Sequence, residues 1–136
     1  MYYYSIGNQK GFTLVEVMIA LVILSVGILA MAEMQIVAIK ANARSKNITS
    51  AIILTEGKLE ELKAAGFSDP SFSNGTISEG NIDETGASGG KFDRVTIIED
   101  YDSSDDMKKV TVTISWTDSM GSSNITMENV LSIEVD

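Results

Sequence analysis

Residues 9–32, QKGFTLVEVMIALVILSVGILAMA, hold a single acid, Glu16, at the head of an apolar run. From Val17 to Ala32 no residue is charged, and Ser25 and Gly27 are the only weakly apolar positions. As a helix those residues span about 24 Å, and extension back to Phe12 gives about the 20 residues that a bilayer requires. A carboxylate in such a run costs roughly 2.5–3.5 kcal/mol on insertion scales. Glu16 therefore either has a partner or a task, or lies at headgroup level near the start of the helix.

A cleaved secretory signal is the competing reading, since Ala30, Met31 and Ala32 have the small-x-small spacing of a cleavage site. Two observations oppose it. The apolar run exceeds the usual signal core, and helical periodicity continues beyond Ala32. Ile36, Val37 and Ile39 give way to Ile48, Ile52, Thr55, Leu59 and Leu62, a spacing of three and four that predicts one apolar stripe. Lys46, Asn47, Ser50, Glu56, Lys58, Glu60 and Lys63 are expected mostly on the other sides. One helix over residues 12–65, apolar first and then amphipathic, follows. Gly66 supplies its stop, and Pro70, the only proline, lies just beyond.

Composition removes whole classes of function. The 136 residues contain no cysteine and no histidine, which excludes disulfides, zinc-thiolate sites, thiol nucleophiles and imidazole bases. Lys plus Arg number 10 against 19 Asp plus Glu. From Gly66 onward the only bases are Lys91, Arg94, Lys108 and Lys109, so the excess acid is concentrated there. Such a head repels nucleic acid and anionic lipid, and no nucleic-acid partner is expected. No phosphate-binding loop or catalytic constellation is visible; the chain reads as a non-enzyme without a cofactor.

Residues 66–90 are rich in Gly, Ser, Asn and Asp and read as a loop segment. FDRVTIIE (92–99), KVTVTISW (109–116) and ITMENVLSIEV (125–135) read as strands joined by hairpin loops, giving an antiparallel sheet of about three strands. On the middle strand Val110, Val112, Ile114 and Trp116 are the inward candidates, opposite Thr111, Thr113 and Ser115. Trp116 reads as core. The expected architecture is α+β, with a long helix packed on the sheet.

The stretch KGFTLVEVMIALVILSVGILAM resembles the N-terminus of a type IV prepilin: a short leader ending in Lys10 and Gly11, then Phe12, and a glutamate, Glu16, as the fifth residue of the processed chain. With VTVTISWTD near the end, the wider pattern resembles the PilV-like minor pilins. The resemblance implies a leader over 1–11, a transmembrane and filament-core helix over 12–35, an amphipathic outer half over 36–65, and a loop-plus-β head over 66–136. It implies cleavage between Gly11 and Phe12 by a prepilin peptidase, methylation of the Phe12 amine, and a role for Glu16 in assembly. The implied partners are other pilin subunits, the membrane and the inner-membrane pilus assembly machinery. The subunit would wait in the inner membrane with its head in the periplasm, then join an extracellular filament. Counting Lys40, Arg44 and Lys46 against Lys10 alone favours the opposite orientation; the processing motif is given precedence. The missing proline of the apolar run, where Glu33 stands instead, and the missing cysteine pair depart from major pilins and favour a minor subunit.

Three functions are carried forward: a minor pilin of a type IV pilus, a minor pseudopilin of a type II secretion system, and a membrane-anchored adhesin or binding module. Asp100, Asp102, Asp105 and Asp106, with Glu99, are the candidate calcium ligands. Their loop lacks the glycine and closing glutamate of an EF-hand, so an acidic, solvated hairpin tip is the preferred reading. The sequons at Asn47, Asn74 and Asn124 read as chance occurrences.

Overall fold

The computed structural model describes residues 11–66, 69–102 and 104–132. The fold is α+β, as the resemblance implies: one long helix, α1 (Leu14–Ala65), and four strands, β1 (Gly75–Ile82), β2 (Phe92–Tyr101), β3 (Ser104–Asp118) and β4 (Gly121–Ser132). The chain divides into two compact units, Met1–Ile39 and Lys40–Asp136. In the first, α1 stands without any other element against it, and every described residue is exposed.

The second unit begins with residues 40–65 of α1. Its buried residues are Asn47, Ser50, Ala51, Leu54, Thr55, Lys58 and Leu62, which recur every three or four positions and so share one face. Ala51 has no exposure at all; its small side chain lets the helix approach the sheet closely. Gly66, at φ 74°, ends the helix, and its amide donates to Leu62 O at 3.2 Å. That left-handed turn is the stop the sequence predicts.

The sheet is an antiparallel meander in the order β1-β2-β3-β4. Its inner face is set by cross-strand pairs: Phe92 with Trp116, Arg94 with Ile114, Thr96 with Val112, and Ile98 with Val110. Val110, Val112 and Ile114 have no exposure and Trp116 only 3 %, so all four inward candidates of the middle strand are buried. Full burial of a large apolar side chain is worth about 1.5–3 kcal/mol, so the four side chains of β3 contribute substantially to the core. Two clusters form against the helix. Ala51 and Leu54 join Ile82, Phe92, Ile114 and Trp116, and Leu62 joins Phe72, Ile98, Val110, Val112 and Leu131. Phe92 meets Trp116 edge-on, ring centres 5.9 Å apart.

Three expectations need correction. The sheet has four strands, because residues 75–82 pair with β2. This edge strand buries only Ile82 fully, so its Gly, Ser and Asn content lacks the apolar alternation that identifies a strand. The helix stripe is also displaced from the one expected: Thr55 and Leu62 are buried, but Ile48 is 37 % exposed, while Asn47, Ser50 and Lys58 turn inward. Asn47 and Lys58 find partners. Asn47 accepts from Lys91 Nζ at 2.5 Å and donates to Asp118 at 3.4 Å, and Lys58 donates to Glu61 at 2.8 Å. Lastly, the hairpins are tighter than expected. Tyr101 pairs with Ser104, and Asp118 pairs with Gly121 across a two-residue turn. Asp102 adopts φ 53°, a conformation that aspartate tolerates through local hydrogen bonding.

Candidate functional site

The first turn of α1 is built by Thr13. Its hydroxyl accepts from the Glu16 amide at 3.2 Å, and its carbonyl accepts from the Val17 amide at 3.2 Å. Thr13 is thus the N-cap and Glu16 occupies the third helical position, the Thr-x-x-Glu spacing of a capping box. The sequence reading missed this arrangement, although the spacing between the two residues was the signal for it. The same position places the Glu16 carboxylate near the positive end of the helix dipole, which favours an anion there by about 0.3–1 kcal/mol when exposed.

Phe12, Glu16, Val17, Ala20, Leu21 and Leu24 line a shallow groove along this helix face. All but Glu16 are apolar. Phe12 is 83 % exposed and Leu24 57 %, so the groove presents hydrocarbon with one carboxylate at its upper end. Further along, Ser25 Oγ donates to Leu21 O at 2.7 Å. The one hydroxyl in the run is therefore satisfied by its own helix and does not oppose an apolar environment. The helix contains an 18-residue window of mean hydropathy 2.7, none of it buried, and is long and apolar enough to cross a membrane. An apolar surface of this extent needs lipid or other helices around it.

Of the residues singled out for processing, Gly11 and Phe12 are exposed, and a side chain added at Gly11 would meet nothing within 4 Å. Lys10 lies outside the described residues. Phe12 and Glu16 fall on the same groove, as their spacing requires. The candidate calcium ligands are arranged differently. Asp100 is ion-paired with Lys108 and accepts from Asn74, Asp102 sits in the turn, and the side chains of Asp105 and Asp106 lie outside the described residues. The Asp100 carboxyl is held below the usual carboxylate range, first by the Lys108 hydrogen bond and then by that of Asn74. Among the described residues no three acidic side chains converge on one point.

Comparison with known proteins yields one match. Residues 6–32 fit the family model described as the prokaryotic N-terminal methylation motif. No curated protein and no solved structure matches the chain. The matched residues include the Thr13 cap, Glu16 and most of the exposed apolar run, so the chain bears at its N-terminus the type IV prepilin signature.

Proposed function

We propose that this protein is a structural subunit of a type IV pilus, a minor pilin that helps assemble or modify the fibre. One observation carries the reading: the methylation motif stands at the head of an apolar helix that no part of the described chain covers. In this scheme Lys10 and Gly11 end the leader, prepilin peptidase cuts between Gly11 and Phe12, and the new Phe12 amine is methylated. Residues 12–35 lie in the inner membrane with the head in the periplasm. On assembly they exchange lipid for the helices of neighbouring subunits. Hydrocarbon surface is satisfied by either environment, so the transfer is nearly neutral for the apolar side chains.

Glu16 is the exception. Its carboxylate gains from a cation in a medium of low dielectric, and the Phe12 amine of an adjacent subunit is the group that cleavage creates for it. That pairing would set the axial register of an incoming subunit. The absence of cysteine supports a minor subunit, since the head has no disulfide of the kind common in major pilins.

Intact mass of the membrane-extracted protein tests the processing step, and immunodetection in sheared filaments tests assembly. A chain beginning at methylated Phe12 and present in pilus preparations at low abundance is expected. A mature chain starting at Met1, or just after Ala32, overturns the reading. Normal processing with loss of secretion and intact pili on deletion would place the subunit in a type II secretion pseudopilus instead.

A further inference from the structure

Helix α1 covers the middle of the sheet and leaves β4 overhanging. On β2 and β3 the inward side chains from Phe92 to Ile98 and from Val110 to Trp116 are all buried. Further out on the same face, Ile125 and Met127 of β4 are only half-buried and Asn129 is exposed. The outer edge of β4 also lacks the features that keep an edge strand from pairing. Its 12 residues contain no proline and no lysine, and their one charge, Glu128, is taken up by Lys109. Its register with β3 runs from Ser132 to Gly121 without a bulge. Among the described residues no other strand pairs with that edge.

The opposite edge of the sheet is β1. Each strand is antiparallel to the next, so across four strands β1 and β4 run in opposite directions. Two heads of like orientation, set side by side, therefore bring β4 of one against β1 of the next as an antiparallel pair. The register carried across the sheet fixes what meets. Ile77 aligns through Thr96 and Val112 with Met127, and Ser78 aligns through Val95 and Thr113 with Thr126. Thr76 aligns through Ile97 and Thr111 with Glu128. A neighbour added without axial shift thus sets its half-buried Ile77 beside Met127 on the inner face. On the outer face its Ser78 extends the Thr113–Thr126 hydroxyl pair, whose oxygens are 3.0 Å apart, and its Thr76 stands beside Glu128. Apolar side chains meet on one face and hydroxyls on the other, with no like charges opposed.

We propose that β4 of one copy of this chain pairs with β1 of a second copy, residues 125–129 against 75–79, and joins their heads into one continuous sheet. The inference rests on the pilin reading for one point, that the copies share an orientation in the membrane. Pairing β4 with β4 would require the two heads to point in opposite directions. Within the head α1 runs along β3, with Asn47 at Asp118 and Leu62 at Val110, so that alternative would also turn the two helices oppositely. Pairing β4 with β1 keeps them parallel. It is a heterologous contact that leaves each pair one free edge at either side, so it can stop at two copies or repeat along a fibre.

The chain has no cysteine, so thiols introduced at the contact are the only ones it carries. The full chain is expressed in membranes as two differently tagged copies, one with Thr126→Cys and one with Ser78→Cys, and oxidised mildly. A disulfide-linked pair of the two tags is expected, since opposed strand residues hold their Cβ atoms at a separation that a disulfide spans. Adding Met127→Lys to the first copy, a charge on the inner side of the edge, should lower the linked product by about tenfold or more; circular dichroism of the detergent extract should stay unchanged. No linked product from folded copies overturns the proposal. So does an equally strong dimer of Thr126→Cys alone, which would set β4 against β4, or a link from Thr126→Cys to a different protein, which would make another subunit the occupant. Intact mass of the same sample keeps the two readings apart. A chain beginning at methylated Phe12 without the link sinks the pairing alone, whereas the link in a chain beginning at Met1 upholds the pairing and overturns the pilin reading.

Discussion

Arg94 holds both carboxylate oxygens of Glu79 across the β1–β2 pair, Nε to Oε2 at 2.7 Å and Nη2 to Oε1 at 2.8 Å. Its remaining nitrogen donates to Leu54 O of the helix at 3.4 Å. One guanidinium thus connects edge strand, sheet and helix while only 6 % of the residue is exposed. The two partners are unequally placed: the Arg94 side chain is 8 % exposed and that of Glu79 32 %. Glu79→Ala strands a buried cation and should cost roughly 3–5 kcal/mol. Arg94→Leu leaves a carboxylate that can turn to water, and should cost only about 1–2 kcal/mol. Urea denaturation of residues 40–136, followed by Trp116 fluorescence, checks the order; equal losses would show that the burial asymmetry does not govern the pair.

The same contact makes stability depend on pH. The Glu79 carboxyl is held below its ordinary value of 4.5, chiefly by the Arg94 hydrogen bond and against the effect of burial. Asp83, Asp100 and Asp118 are likewise held below 3.8, by Thr85, by Lys108 and by the Met120 amide respectively. With folded values depressed, the unfolded chain binds protons first as pH falls. Their contribution is complete above the unfolded values and is lost progressively as pH drops below about 4.5 and on through the folded values. An acid titration of the urea midpoint should show this decline, and Glu79→Gln should flatten its upper part.

Thr96 presents the opposite case. It has no exposure, and its hydroxyl has no hydrogen-bond partner among the described residues. Its register partners on the inner face are Val112 and Ile77, so the hydroxyl is set among hydrocarbon. Thr96→Val replaces it with a methyl group of nearly the same size and should stabilise the head by about 1 kcal/mol. A lower urea midpoint would mean that the hydroxyl is satisfied by water.

Much of this architecture is legible in the sequence, and the failures have physical causes. Val110, Val112, Ile114 and Trp116 alternate strictly with polar residues, and period-two alternation on a half-covered sheet leaves little ambiguity. The apolar run from Val17 to Ala32 and the Gly66 stop are equally direct. Strand β1 was hidden because an edge strand with one exposed face and a free edge needs few apolar residues. Lys58 and Asn47 were placed outward because polarity predicts exposure on average, whereas their burial depends on Glu61, Lys91 and Asp118, partners that only the fold supplies. The contacts of Asn74 with Asp100 and Lys108 are of the same kind: these partners are 26 and 34 residues from Asn74 along the chain, and no spacing rule connects them.

The bases of the distal region are similarly committed. Arg94 is paired with Glu79, Lys108 with Asp100 and Lys109 with Glu128, while Lys91 donates to Asn47. A region with few bases, each already engaged, has little to offer a phosphate backbone. Residues 40–136 should therefore be soluble and show no micromolar binding to duplex DNA at physiological salt. Fluorescence anisotropy with a labelled duplex measures this, and binding that weakens steeply with salt would contradict it.

Glu16 allows two roles to be separated by a single atom. As the third helical residue after Thr13 it holds the acidic position of the Thr-x-x-Glu capping-box spacing, a position that glutamine fills as well as glutamate. As a register device toward a Phe12 amine it must carry charge, because the benefit is Coulombic and grows as water is excluded. Glu16→Gln should therefore preserve membrane insertion, leader removal and helix content, yet enter sheared filaments far less than the wild type, by about tenfold if the pairing is worth about 1.4 kcal/mol. Glu16→Val should give the same assembly defect. Thr13→Ala, which removes the cap and leaves the charge, should assemble nearly normally. Quantitative immunodetection of each variant in pilus and membrane fractions decides the matter. Should Glu16→Gln assemble like the wild type while Thr13→Ala fails, the glutamate serves the helix terminus and not the register of the filament.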